Sequence, residues 1–262
     1  MGATFIISEL YEKNKEEILD CILNFEIRGN LIYSDRNKVK TFKLKDGMII
    51  NIKSFKVPYT INKFIYQYFR KSKAERSYIF GRKLIEKGIL TPEPIGYYIK
   101  HYLCGIKESF YVSLHLDYDL DFRKLTFERD YPNRKLILEK FGEFTFDLHE
   151  KGIYFIDHSP GNTLIVSKKD KEYKYYLIDL NRMKFNVTFD LKLRVKNLSK
   201  LATTWDVVKP MSDSYAKKLR YNPEKFCKLV MDETNKFQHK YYLKKERKIK
   251  IKRMVGKNKN PL

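Results

Sequence analysis

Apolar and polar positions change period along this chain. From Phe25 to Lys53 the runs are short and strand-like: Phe25 to Arg28, Leu31 to Ser34, Val39 to Lys45 and Met48 to Lys53. They are broken by Gly29-Asn30, Asp35-Arg36-Asn37 and Asp46-Gly47 and bounded by Pro58. Turn residues of this kind between alternating runs predict an antiparallel sheet. The first 23 residues mix apolar and acidic positions, as a short leading strand or helix would. Ile61 to Arg70 reads as an apolar and basic helix whose Phe64, Ile65, Tyr68 and Phe69 are packing residues. Ser72 to Gly88 takes up a helical period through Ala74, Tyr78, Ile79, Leu84 and Ile85. Two more strands, near Ile95 to His101 and Ser109 to Leu114, follow Pro92 and Pro94, and an acidic loop runs from Asp117 to Asp121.

Beyond that loop the period is mostly helical. Residues 131 to 152 carry an apolar face of Leu136, Leu138, Phe141, Phe144, Thr145 and Leu148. Thr163 to Ser167 and Tyr175 to Ile178, separated by the polar tip Lys168 to Lys174, pair as a hairpin. Helical spacing returns from about residue 190, and the run 222 to 254 opens on Asn222-Pro223, a cap and first helical position. Ile249 and Ile251 alternate with charges, which leaves an extended or frayed end open. The pattern divides the chain into a sheet-plus-helix lobe at 1–114, a helical lobe at 115–243 and a basic tail at 244–262.

The stretch with chemistry in it is Asp157-His158-Ser159-Pro160-Gly161-Asn162, with Asp179-Leu180-Asn181 at the far end of the hairpin. Phosphoryl transfer with magnesium needs an acid that takes the acceptor hydroxyl's proton, and an Asn and a second acid that hold cations against the phosphates. Oxygen ligands suit Mg2+. D-x-x-x-x-N alone describes many ordinary turns. Here it follows a helix and precedes a hairpin that closes on an Asp, which makes Asp157 the expected base and Asn162 and Asp179 the expected metal ligands.

Ile50-Asn51-Ile52-Lys53 ends the first sheet on a lysine able to reach the α- and β-phosphates of ATP, with Lys56 as competitor. Glu75, in the first turns of the next helix, is the expected ion-pair partner of Lys53, and the alternative is that it complements the helix amino end. Gly29 is the lone glycine of a turn that phosphates approach, so a full glycine-rich cradle is absent. Backbone groups from Ser113 to Leu116 are candidates for an adenine edge.

Composition narrows the setting. The 262 residues hold 54 Lys and Arg against 32 Asp and Glu, a net charge of +22 that implies an anionic partner or a solvated lysine-rich surface. Lys244, Lys245, Arg247, Lys248, Lys250, Lys252 and Arg253 cluster in the tail, where an anionic membrane surface is one fit and a solvated helix end the other. Three scattered cysteines, Cys21, Cys104 and Cys227, argue for a reducing compartment and against a disulfide framework or zinc site. Glu9, Glu12, Glu16 and Glu17 interrupt any secretory signal, Ile6 stands where a myristoylation signal has Ser or Thr, and no run spans a membrane. A cytoplasmic protein is expected.

Asp157 to Asn162, Asp179, Lys53 and Glu75 together resemble the protein-kinase-like superfamily. The wording around them resembles the lipopolysaccharide core kinase (Kdo/WaaP) family: Ile52-x-Lys53-x-Phe55-x-x-Pro58, Ala74-Glu75-Arg76-Ser77-Tyr78, Thr91 to Gly96 and Ile178 to Met183. The resemblance covers about 25 to 220. It implies a bilobal α+β kinase fold, ATP with Mg2+, and transfer of the γ-phosphate to a Kdo or heptose hydroxyl of the lipid A inner core. The acceptor would be met on the cytoplasmic face of the inner membrane of a Gram-negative bacterium, with nucleic acid disfavoured as a partner. Phe155 and Ile156 replace the His-Arg of H-R-D and no A-P-E follows Asp179, so no loop-phosphorylation switch is expected. Ser159 stands where a protein kinase has a lysine near the γ-phosphate, which disfavours protein acceptors, and Asn181 replaces the Gly of D-F-G, where a left-handed backbone is tolerated. Two alternatives stay open: a catalytically silent kinase-fold binding protein, or a kinase for a small-molecule or protein acceptor.

Overall fold

The computed structural model describes residues 2–56, 71–102 and 105–257. The helix expected at Ile61 to Arg70 and Cys104 lie outside the described residues. The chain divides into two compact units, one of residues 1–119 with 164–183, the other of 120–163 with 184–262. The first unit thus takes in the hairpin that follows the Asp157 loop, which a contiguous boundary at 114 does not anticipate.

The first unit is built on a six-stranded sheet of order β1-β5-β6-β4-β3-β2, with β1 Ala3–Ile7, β2 Asn30–Ser34, β3 Asn37–Lys43, β4 Ile49–Phe55, β5 Pro94–Tyr102 and β6 Gly105–Leu114. Every neighbouring pair is antiparallel. Ile50 and Ile52 of β4, Phe42 of β3 and Val112 of β6 bury one face together with Ile18 and Ile22 of α1 (Lys15–Leu23). Each such side chain removed from water contributes about 1.5–3 kcal/mol.

Phe25 to Arg28 is not the expected strand but a turn that carries on from α1, with Phe25 N–H donating to Ile22 O and Arg28 N–H to Asn24 O. Lys40, buried on β3, explains the difference: its ammonium donates to Phe25 O at 2.6 Å, Glu26 O at 3.1 Å and Arg28 O at 2.9 Å, and lies 5.2 Å from the centre of the Phe25 ring. The adjacent carbonyls of Phe25 and Glu26 converge on one ammonium, whereas successive carbonyls of a strand point to opposite sides.

Helix α2 (Lys73–Glu86) matches the expected span, and Ser72 caps it by accepting from Glu75 N–H at 3.0 Å. β9 (Thr163–Ser167) pairs with β10 (Tyr173–Leu177), as the hairpin pattern predicts, and Lys168 N–H donates to Glu172 O across the tip. β10 is tied into the first unit by Leu177 N–H to Leu90 O at 3.0 Å and by Thr91 Oγ1 to Leu177 O at 2.7 Å. Those bonds fix where Asp179 begins.

The second unit is helical: α3 Phe122–Phe127, α4 Arg134–Glu150, α5 Leu191–Leu198, α6 Trp205–Leu219 and α7 Pro223–Lys257, with two-residue strands β7 Leu120–Asp121 and β8 Tyr154–Phe155. Phe122, Phe141, Phe155, Tyr215 and Phe226 are fully buried in it. Gly142 lets α4 meet α6, since a Cβ there would lie 2.3 Å from Met211 O. Asn222 caps α7 by accepting from Lys225 N–H at 2.9 Å. The helix continues through the basic tail to Lys257, in place of an extended end. Among the described residues no helix is long and apolar enough to cross a membrane.

Candidate active site

In the second unit the Asp157 loop is held by its backbone. Three successive carbonyls each accept from a side chain: Phe155 O from Asn197 Nδ2 at 2.8 Å, Ile156 O from Lys200 Nζ at 2.7 Å and Asp157 O from Asn162 Nδ2 at 2.8 Å. A short 3-10 turn at Pro160–Asn162 lets Asn162 reach back five residues. Its amide nitrogen is spent on the loop, so its Oδ1 remains the group suited to a hard cation. Asp157 itself is half-buried. Arg123 of α3 packs on the loop at Gly161, where a Cβ would come 2.2 Å from its Nη2.

Behind the loop lies a buried polar chain. Asn197 Oδ1 accepts from His149 Nε2 at 2.9 Å and His158 Nδ1 at 3.2 Å, which assigns the protons to those nitrogens. His149 Nδ1 then accepts from Tyr215 O–H at 2.7 Å, and Tyr215 oxygen accepts from Arg194 Nη1 at 2.9 Å. Burial pushes His149 down to about 3, helped by His158 and Arg194 against the Asn197 bond, and pushes His158 down to about 4, helped by Lys200. Both rings are neutral and rigidly placed. Neither Asn197 nor Lys200 had a signal in the sequence, because each acts across about forty residues through a backbone carbonyl.

In the first unit Lys53 lies on β4 opposite Val39 of β3 and Tyr111 of β6. Its Nζ is 2.8 Å from Asp179 Oδ1, and the same oxygen accepts from Asn181 Nδ2 at 2.7 Å. The expected Lys53–Glu75 pair is not formed: Glu75 Oε1 is 3.3 Å from Lys71 Nζ, one helical turn away. The cause is the way Asp179 is delivered. Arg76 Nε donates to Asn181 O at 3.0 Å, and Leu180 fits against Gly81, where a Cβ would lie 3.3 Å from Leu180 Cδ1. These anchors on α2 set the Asp179 carboxylate against Lys53. The left-handed backbone falls on Asp179 (φ 58), not on Asn181. A non-glycine residue held there by its surroundings is the kind of strain found at functional positions.

Gly29 does not stand at a hairpin tip. It precedes β2 with φ 82, and a Cβ would lie 2.5 Å from the Phe42 ring, so both backbone and packing require a glycine. The tip of the β2–β3 hairpin is Asp35-Arg36, and it carries no glycine. In the Ser113 to Leu116 segment, Leu114 N–H is taken by Glu93 O and His115 N–H by Ile49 O, both at 2.9 Å, which withdraws two of the groups expected to meet adenine. Lys73, at the start of α2, was not anticipated. Its residue is exposed as a whole, but the ammonium end packs 6.0 Å from the Phe55 ring centre, and this burial, with Arg36, Arg76 and Lys53 nearby and Asp179 opposing, lowers its pKa.

The Lipopolysaccharide kinase (Kdo/WaaP) family profile matches residues 60–219, more than half of the chain. No curated protein sequence matches it. Among solved structures it is similar to WaaP in complex with acyl carrier protein, at 16% identity and TM-score 0.61, over 90% of this chain and 98% of that one. It is also similar to the Rio2 kinase-ADP/Mg2+-phosphoaspartate complex from Chaetomium thermophilum, at 14% identity and TM-score 0.49, over 82% of this chain and 64% of that one. The first of these likenesses identifies a protein-kinase-like α+β fold.

Proposed function

The chain belongs to the lipopolysaccharide kinase (Kdo/WaaP) family, a phosphotransferase family with an alcohol group as acceptor, and from that premise we propose that it moves the γ-phosphate of ATP to a Kdo or heptose hydroxyl of the lipopolysaccharide inner core. The observation that carries this reading is the Asp157 loop, where three consecutive carbonyls are clamped and Asn162 is bound back to Asp157. Rigid placement of a base is what general-base catalysis requires. Asp157 takes the proton of the sugar hydroxyl as its oxygen forms the bond to the γ-phosphorus, and the bond to the β–γ bridging oxygen breaks, leaving ADP.

Asn162 Oδ1 in the second unit and the second oxygen of Asp179 in the first are each a donor of the class that would hold Mg2+. When bound, that ion neutralises the phosphates. Lys53 supplies fixed positive charge to the phosphates, and Asp179 orients it. The basic end of α7 faces an anionic lipid surface in this reading, which suits a lipid-linked acceptor and a site of action at the inner face of the inner membrane.

The test is ATP-dependent phosphorylation of purified, dephosphorylated inner-core lipopolysaccharide, with the product located by mass spectrometry. Phosphate on Kdo or heptose is expected, with Asp157→Asn slower by about 10² to 10⁴. Full activity in that variant would remove Asp157 as base, and nucleotide binding without transfer would point to another acceptor. A chain lacking 244–262 is expected to lose salt-sensitive binding to anionic vesicles, and unchanged binding would refute a membrane role for the tail.

A further inference from the structure

The hairpin beside the Lys53 strand lacks the glycines whose backbone N–H groups cover phosphates in protein kinases. Arg36 at its tip and Lys73 on α2 occupy the surroundings of Lys53 instead. The β3–β4 ladder ends with Asn37 opposite Phe55, which puts the Arg36 turn at the Phe55 end of the strand, and Asn37 Oδ1 accepts from Lys56 N–H at 3.3 Å. Lys53 Nζ and Lys73 Nζ lie 5.3 Å and 6.0 Å from the centre of that same Phe55 ring. Arg36 is the foremost charge acting on Lys73, ahead of Asp179, Arg76 and Lys53.

Arg36, Arg76 and Lys53 therefore crowd Lys73, with Asp179, itself paired to Lys53, as the opposing carboxylate, while Glu75 is engaged with Lys71. Like charges crowded in this way repel, and a surface designed only for solubility has no reason to aim two ammonium groups at one ring. A polyanion relieves the repulsion. We propose that Arg36 and Lys73 bind the terminal phosphates of a nucleoside triphosphate, forming with Lys53 a cradle of side-chain cations in place of a glycine-rich backbone cradle. Arg36 is suited to grip a phosphate through two parallel N–H groups, and Lys73 acts as a point charge. The proposal rests on the nucleotide-dependent kinase reading above, and it adds which residues select a triphosphate.

The experiment is calorimetric titration of the full chain with MgATP, MgADP and inorganic tripolyphosphate, comparing the native protein with Arg36→Gln, Lys73→Gln and Lys71→Gln. Lys71 is an exposed neighbour of the same charge and serves as control. Arg36 and Lys73 are exposed residues, and unchanged melting temperatures would confirm that the variants fold. Loss of one charge-assisted phosphate contact is expected to weaken MgATP and tripolyphosphate binding roughly tenfold in either variant, with a smaller change for MgADP and none for Lys71→Gln. Lys73→Arg should restore most of the affinity. Native-like MgATP binding in Arg36→Gln and Lys73→Gln, or an equal loss in Lys71→Gln, overturns the cradle while leaving the kinase reading intact. A native chain that binds neither nucleotide nor tripolyphosphate overturns both.

Discussion

Acid should destabilise the second unit through His149 and His158 well before most carboxylates are protonated. Both rings are neutral in the folded protein, with values pushed down to about 3 and about 4 from the ordinary 6.5. The unfolded chain therefore binds protons first as the pH falls. Stability is complete above 6.5, declines below it, and stops declining on this account only near the folded values. Between pH 7 and pH 5 each buried histidine costs about 2 kcal/mol, so the pair costs about 4 kcal/mol. That figure is insensitive to the folded values as long as they stay below 5. The assay is urea unfolding followed by Trp205, the single tryptophan, which begins α6 and so reports on the second unit. His158→Phe supplies the control, because the ring stacks on Phe155 at 5.5 Å, meets Phe141 tilted at 5.7 Å, and its Nε2 has no partner among the described residues. The variant should lose about half as much stability as the native protein between pH 7 and pH 5. An equal loss in both proteins would refute the assignment.

Three further outcomes follow from particular contacts. Asp179→Asn should abolish nearly all phosphoryl transfer while Glu75→Gln changes it by less than about threefold, since Lys53 is held by Asp179 and Glu75 pairs with exposed Lys71; steady-state rates with saturating acceptor decide this, and a Glu75→Gln loss matching that of Asp179→Asn would restore Glu75 as anchor. Lys40→Met should cost about 2–4 kcal/mol in denaturant unfolding followed by far-UV circular dichroism, because one buried and two part-buried carbonyls lose a charged donor; a loss under about 0.5 kcal/mol would show the turn holds itself. Asn197→Ala should lower kcat by about 10- to 100-fold and leave the KM for ATP near its native value, because it frees Phe155 O two residues before Asp157; a change in KM alone would count against a positioning role.

The parts of the site legible in the sequence are those in which the physics is local. Asp157 and Asn162 stand five residues apart, and the bond between them is a side chain reaching back over a single 3-10 turn. The hairpin, the α2 span and its Ser72 cap likewise depend on neighbours within a few positions. Phe25 to Arg28 failed as a strand because its carbonyls answer to Lys40, which a pattern of apolar positions does not register. Gly29 carries a second requirement the pattern does not register: beside its left-handed backbone, the Phe42 ring leaves no room for a Cβ.

The choice of partner for Lys53 shows where spacing stops being informative. Glu75 is close in sequence and on a helix expected to pack against the sheet, yet Asp179, 126 residues away from Lys53, makes the contact. Its position is the product of four separate attachments: β10 to Leu90 and Thr91, Leu180 to Gly81, and Asn181 to Arg76. Each attachment is ordinary, and none has a sequence signature. Together they place a carboxylate beside an ammonium and force the left-handed backbone at Asp179. The same logic governs Arg36 and Lys73, two basic residues among 54 that acquire meaning only when the sheet turns Phe55 toward both lysines. In a chain with so large a cationic excess, charge identifies the kind of partner, and the fold decides which of the cations are brought together to meet it.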